Sequence, residues 1–277
     1  MSAFESLPAE SSAESSSASS TTETVLRESR NGSIVTLTMN RGRQFNALSE
    51  GLLAELTASF DRLAQDESVR VVILAGDGKA FCAGHDLREM RADPSLAYYQ
   101  GLFNACTKMM MAIQRMPQPV IARVHGIATA AGCQLVAMCD LAVASDEAKF
   151  AVSGVNLGLF CSTPSVALSR NLSRKDAFEM LVTGEFIGAD QAKAKGLVNR
   201  VTTPAELDAE IDQLAQAICA KPAVAIAAGK GLFYRQLETG IEAAYQMAGQ
   251  TMACNMMDDD ALEGVQAFLD KRSPDWS

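Results

Sequence analysis

Polar and apolar residues alternate along Thr24–Glu28 and Ser33–Met39, and Asn31-Gly32 splits the two runs. A period of two is the pattern of a half-buried strand, and Asn-Gly supplies the backbone angles of a tight hairpin turn. After Ser49 the period lengthens. Leu52, Leu53, Leu56 and Phe60 share one helical face, which predicts a helix capped by Ser49 and running to about Asp66. Arg70–Ala75 is a continuous apolar run, the pattern of a strand buried on both faces. Gly76 to Leu87 reads as a glycine-containing loop and Leu96–Arg115 as a long helix. Pro117 and Pro119 then force an extended entry into a strand at Val120–Val124. Ala130–Met138 is predicted helical and Asp140–Ala144 a short strand; from Pro204 onward the pattern is helical. Strands alternating with helices imply an α/β layout with a mainly parallel sheet. The organisation expected is a Ser-rich disordered tail over 1–22, an α/β core over 23–203 and a helical region over 204–277.

Composition narrows the function. The 277 residues are 48% hydrophobic and 21% charged, enough for one large core without a staple. The net charge of -9 gives an acidic surface, which disfavours nucleic acid as the main partner. The seven cysteines are odd in number, form no C-x-x-C pair and sit mostly in apolar runs, so reduced, buried thiols in a cytoplasmic protein are expected. With His85 and His125 the only histidines, no zinc or other metal site is expected. No apolar run reaches the roughly 18 residues of a membrane span. The N-terminus lacks the basic residues of a secretory or mitochondrial leader.

Two segments stand out, Gly78-Lys-Ala-Phe-Cys-Ala-Gly-His-Asp-Leu-Arg-Glu-Met90 and Val120-Ile-Ala-Arg-Val-His-Gly-Ile-Ala-Thr-Ala-Ala-Gly-Cys-Gln-Leu-Val-Ala-Met-Cys-Asp140. Each is a buried strand that feeds a small-residue turn and then a helix start. Small residues let the backbone approach a ligand closely, and a helix N-terminus adds unpaired N–H donors. Two such turns face to face would hold one developing oxyanion; ordinary strand–helix connections have the same local pattern.

Taken together, the two segments resemble the crotonase (enoyl-CoA hydratase/isomerase) superfamily signature. The resemblance extends in order and spacing from about Val25 to Arg272. It includes Asn40-Arg-Gly-Arg-Gln-Phe-Asn-Ala-Leu-Ser49 and Ala189-Asp-Gln-Ala-Lys-Ala-Lys-Gly-Leu-Val198. It implies a ββα spiral core with a C-terminal helical extension, an acyl-CoA ligand, no separate cofactor, and a homotrimer or a hexamer of paired trimers. It also implies an oxyanion hole formed by the backbone N–H groups of His85 and Ala131. The CoA-binding positions that match are Arg43, Gln44 and Ala47 on an early loop, and Ala83, Gly84, His85, Asp86 and Leu87. On the last helix Phe268 and Lys271 match residues that often complete the nucleotide pocket across a subunit boundary.

The chain departs from the family where water would be activated. Gln134 and Gly154 stand at the positions of the two glutamates that act as base and acid in hydratases. Each proton-transfer group contributes about 10²–10⁴-fold; an amide cannot ionise and glycine has no side chain. Efficient hydration is therefore not expected, whereas an oxyanion hole made of backbone survives. The alternatives are a non-catalytic acyl-CoA-binding or regulatory protein and, with Cys161 as nucleophile, a thioesterase-like hydrolase. RNA binding is disfavoured by the charge. Among the remaining residues, His125 reads as structural and Asp86 and Asp140 as caps. Asp258-Asp-Asp260 reads as acids in the first turn of the last helix. Gly229-Lys230-Gly231 is not a phosphate loop.

Overall fold

The Asn31-Gly32 hairpin joins β1 (Leu26–Asn31) to β2 (Ile34–Met39), which pair antiparallel in full register, with Gly32 at φ 58°. The computed structural model describes residues 24–276; the expected tail over 1–22 lies outside them. Ser49 caps α1 (Glu50–Leu63) by accepting the Leu52 N–H at 3.2 Å. The chain then returns as β3 (Val71–Gly76), parallel to β2. Two further strands join in parallel, β5 (Val120–Val124) beside β3 and β7 (Leu141–Ser145) beside β5. At the edge lies β10 (Arg200–Thr202), parallel to β7, so all pairs but the first hairpin run parallel, as the strand–helix alternation predicts.

Alternate residues of these strands enter different packing layers. Val72 and Leu74 belong to the main core with Leu52, Leu56 and Phe60 of α1 and with Met109 and Ile113 of the helix over Leu96–Arg115. Val71 and Ile73 point the other way, into a second cluster with Leu207, Ile211 and Ala215 of the helix over Leu207–Cys219. Burial on both faces is why β3 reads as an unbroken apolar run rather than an alternating one.

A second sheet was not evident from the pattern. It contains β4 (Ala80–Cys82), β6 (Ile127–Thr129) and β8 (Lys149–Ala151), all parallel, with β9 (Ile187–Gly188) antiparallel at the edge. Strands of two or three residues are too short to display a period of two, which is why Gly76 to Leu87 reads as a loop. The organisation repeats: β3 leads into β4, β5 into β6, and β7 into β8, each pair placing one strand in each sheet. Helices follow the pairs: α2 (Leu87–Ala92) and α3 (Leu96–Arg115) after β4, α4 (Ala131–Met138) after β6, and α5 (Ser162–Asn171) after β8. These repeated strand–strand–helix turns are the ββα spiral implied by the resemblance.

Helices α6 (Arg174–Thr183) and α7 (Ala189–Ala194) precede β10; from Leu207 onward the chain is helical, as expected. It comprises α8 (Leu207–Cys219), α9 (Ala223–Gln236), α10 (Ile241–Asn255) and α11 (Asp259–Asp270). One buried ion pair ties α9 to the core. Lys230 Nζ donates to Asp140 Oδ2 at 2.6 Å and to the Ile113 and Gln118 carbonyls at 2.8 Å. Asp140 also accepts the Val120 N–H at 2.7 Å and the Tyr234 hydroxyl at 2.8 Å. Asp140 is thus not the helix cap expected of it but the acceptor at the centre of a satisfied network. The glycines flanking Lys230 lie inside a helix. Asp258 does cap α11, accepting the Asp260 N–H at 3.2 Å, and His125 Nε2 lies 2.9 Å from the Gly78 carbonyl in a structural contact.

Removing one partner of a buried pair strands the other. Lys230→Met is expected to cost about 3–5 kcal/mol of stability, measured by urea denaturation. A loss below about 1 kcal/mol would show that α9 docks without the pair.

Candidate active site

The two small-residue turns meet. Gly84, at φ 90°, follows β4, and a Cβ placed on it would lie 2.9 Å from the Ala130 Cβ and 3.2 Å from the Ala131 nitrogen. On the other turn, a Cβ on Gly132 would come within 2.0 Å of the Cys82 carbonyl oxygen. No other residue fits at these two positions, and their glycines let β4 and the start of α4 come into backbone contact.

At this junction Ala130 adopts φ 50° and ψ -121°, angles rare for a residue with a side chain. Its own N–H is used, donating to the Ala151 carbonyl at 3.0 Å. Ala131 begins α4, and no side chain caps that end. The loop over residues 41–48 runs beside residues 83–86. Ala83 N–H donates to the Phe45 carbonyl at 3.0 Å, Leu48 N–H to Gly84 at 2.8 Å and Asp86 N–H to Leu48 at 3.2 Å. In this parallel bridge of Leu48 with His85, the neighbours of His85 make the bonds, so the His85 N–H faces away from the loop. Neither the His85 nor the Ala131 N–H has a backbone acceptor among the described residues. Both residues line the same cavity.

That cavity has a volume of about 280 Å³. Ala83, His85 and Leu87 form one wall, Ala130 and Ala131 another, and the stretch from Ser153 to Pro164 supplies much of the rest. Met90 and Phe103 add apolar surface, and among the described residues no carboxylate lines it. Ser153 brings a hydroxyl, 2.9 Å from Thr129 Oγ1. His85 stands edge-on to Phe103, with ring centroids 5.4 Å apart. Neither ring nitrogen has a hydrogen-bond partner among the described residues, and burial lowers the imidazole to about 4.

Of the two residues that the resemblance matches to hydratase glutamates, Gly154 lines the cavity and Gln134 does not. Gln134 is 5% exposed on α4, and its Oε1 has no partner among the described residues. The space beside Gly154 is already taken. A Cβ there would lie 2.6 Å from the Leu159 carbonyl oxygen and 2.7 Å from Cys161 Sγ. Leu159 and Cys161 thus fill the space that a side chain at residue 154 would need. Cys161 lines the cavity, but burial raises its thiol above the ordinary range.

Other expected binding residues are dispersed. Arg43 and Gln44 form a short 3₁₀ turn, and Ala47 follows it on the loop beside residues 83–86. Asp86 caps α2 through the Arg88 N–H at 3.0 Å and pairs with Arg41 at 2.9 Å. Phe268 and Lys271, at the end of α11, do not reach the cavity within one chain. Phe268 is 83% exposed in a groove with Trp276 and Pro222. Sequence reasoning missed Arg41 and Asn46, although both lie within the Asn40–Ser49 motif. It also missed Phe103 and Met90, whose place in the cavity depends on tertiary packing alone.

A core in which each strand pair turns from one sheet to the other, with two backbone turns meeting over an apolar cavity, defines a crotonase-type fold. The comparisons agree: the profile of the enoyl-CoA hydratase/isomerase family matches residues 29–277, and the chain belongs to that family. It is 44% identical over 239 residues to enoyl-CoA hydratase domain-containing protein 3, mitochondrial, of Xenopus laevis, covering 86% of this chain and 81% of that one. Among solved structures, an enoyl-CoA hydratase of Mycobacterium smegmatis superposes with a TM-score of 0.90 at 67% identity, covering 91% of this chain and 98% of that one. Human enoyl coenzyme A hydratase domain-containing protein 3 superposes at 0.88 and 42% identity, covering 91% and 100%.

The cytoplasmic location expected from the sequence does not stand. The domain-containing 3 relatives from frog, mouse, rat, human and zebrafish are all named mitochondrial, which points to a mitochondrial rather than a cytoplasmic location. The cysteines are all free among the described residues, but reduced thiols report a reducing environment and not which compartment provides it. Among the described residues no single helix is long and apolar enough to cross a membrane.

Two outcomes follow for the site. His85 is expected to stay neutral down to about pH 5, with an NMR titration midpoint near 4 assigned by its loss in His85→Gln. Because its folded pKa lies below the unfolded value, the ring favours the unfolded state as pH falls from about 6.5 toward 4. A midpoint near 6.5 would mean a solvated ring. Gly132→Ala is expected to lower stability by about 1–3 kcal/mol in urea, because the new methyl group meets the Cys82 carbonyl.

Proposed function

We propose that the chain binds an acyl-CoA thioester and holds its carbonyl oxygen between the His85 and Ala131 N–H groups, polarising it toward an enolate. The observation that carries this reading is that His85 and Ala131, whose N–H groups have no backbone acceptor among the described residues, line one apolar cavity. Donors fixed in place before the ligand arrives are worth about 2.7–4 kcal/mol each at a developing oxyanion. Arg43, Gln44 and Ala47, with Ala83, Gly84, His85 and Leu87, would carry the CoA moiety, and the apolar lining would take the acyl chain; Asp86, spent on Arg41 and on the cap of α2, takes no part in it.

Water addition is not what this cavity is built for. Among the described residues no carboxylate lines it, and Cys161 and the Leu159 carbonyl occupy the space beside Gly154. That absence of an acid–base pair also supports the second reading, a non-catalytic acyl-CoA-binding protein on the same scaffold. The thioesterase-like alternative is disfavoured, since burial raises the Cys161 thiol and His85, which lines the same cavity, is a weak base with its imidazole lowered to about 4. Exposed apolar side chains on the last three helices, among them Phe233, Ile241, Met252 and Phe268, support assembly into a trimer or a pair of trimers. In such an assembly Phe268 and Lys271 would reach a neighbour's nucleotide pocket.

Calorimetry should give saturable binding of butyryl-CoA, and crotonyl-CoA hydration should run at least about 10²-fold below an ordinary hydratase. Gly154→Glu alone should confer no hydration, because its side chain collides with Cys161. Turnover of the wild-type chain at ordinary hydratase rates would contradict the reading, and absence of any CoA-thioester binding would end it.

A further inference from the structure

We propose that the Arg41–Asp86 ion pair is a positioning device that holds the His85 amide on the acyl carbonyl. This rests on the reading of the two amides given above and adds residues to it that touch neither thioester nor CoA. Arg41 occupies the start of the loop over residues 41–48, and Asp86 the residue after His85. Their side chains meet at 2.9 Å with only 16% and 12% of each exposed, the least exposed ion pair among the described residues after Lys230–Asp140.

Arg41 donates at three points. Its backbone N–H donates to Asn46 Oδ1 at 3.0 Å, one guanidinium nitrogen donates to the Ala47 carbonyl, and another to Asp86. Asn46 continues the chain of contacts. It is fully buried at φ 52°, and its amide donates to the Asp77 carbonyl at 2.8 Å and the Ala80 carbonyl at 2.7 Å. The loop is thereby fastened at one end to the start of β4 and at the other to Asp86.

Between these fixed ends lies His85. Its neighbours spend their groups on Leu48, through Leu48 N–H to Gly84 and Asp86 N–H to Leu48. The direction of the His85 N–H is therefore set by how firmly Leu48 is held, and the Arg41–Asp86 pair closes that frame from outside the cavity. Asp86 has a second duty, capping α2 through its other oxygen. Arg41, already neutralised, is not available as a phosphate ligand, which leaves Arg43 as the exposed basic group of the loop. A planar guanidinium can bridge a carboxylate and a carbonyl at once; lysine has no such fork.

The prediction concerns orientation and is read as a ratio. Wild type, Arg41→Met and Asp86→Asn are titrated calorimetrically with butyryl-CoA and with S-butyl-CoA, a thioether that has the same chain but no carbonyl oxygen. Thermal unfolding runs in parallel. Wild type should prefer the thioester. The variants should bind the thioether within about twofold of wild type while their preference for the thioester falls about tenfold, the order of a hydrogen bond lost or misaimed. Asp86→Asn keeps an oxygen to cap α2, so it carries the test if Arg41→Met does not fold.

Variants that retain the full preference would overturn the inference and leave the proposed function standing. Equal weakening of both ligands would also overturn it, because the pair would then serve the loop and not the amide. A wild type that binds both ligands alike would instead remove the proposed function, and this inference with it.

Discussion

Everything in this site depends on a backbone-to-backbone contact between two turns. The Gly84 turn and the start of α4 lie so close that one carbon atom added to Gly84 or Gly132 would not fit. Such proximity brings His85 and Ala131, from distant parts of the sequence, to the wall of one cavity. A site of this kind is insensitive to most side-chain substitution. Under the proposed function, this is how a chain with Gln134 and Gly154 at the positions matched to the hydratase glutamates would still polarise a carbonyl.

The rest of the fold serves that contact. The parallel sheet gives β4 and β6 a rigid base, and the turns from one sheet into the other deliver both small-residue segments to the same edge. Helix α4 is buried along nearly its whole length, so its N-terminus cannot drift. Ala130, held at a positive φ, shows that the turn before α4 is maintained against its local preference by the packing around it. On the far side of the core, Lys230 and Asp140 fasten the C-terminal helices, with every Lys230 donor matched to an acceptor.

Much of this could be read before any coordinates. The hairpin at Asn31-Gly32, the Ser49 cap and the doubly buried β3 follow from period and turn chemistry. The cavity brings together Ala83, His85, Leu87, Ala131 and Gly154, which were selected from the motifs. The second sheet escaped because its strands are only two or three residues long. Asp140 was misjudged because its partners, Lys230 and Tyr234, lie some ninety positions away and nothing local marks them. Gln134 matched a family position but lies outside the cavity lining, and the filling of the Gly154 space by Cys161 is a matter of loop packing that no motif encodes. Location was likewise not legible: free cysteines do not distinguish one reducing compartment from another.

The most direct measurement of the central claim is the infrared stretch of a ¹³C-labelled thioester carbonyl in acyl-CoA bound to the wild-type chain. Two N–H donors converging on the oxygen should move that band to lower frequency than in free acyl-CoA in water. A ligand that is bound at saturation yet shows the carbonyl at its solution frequency, or above it, would contradict the account.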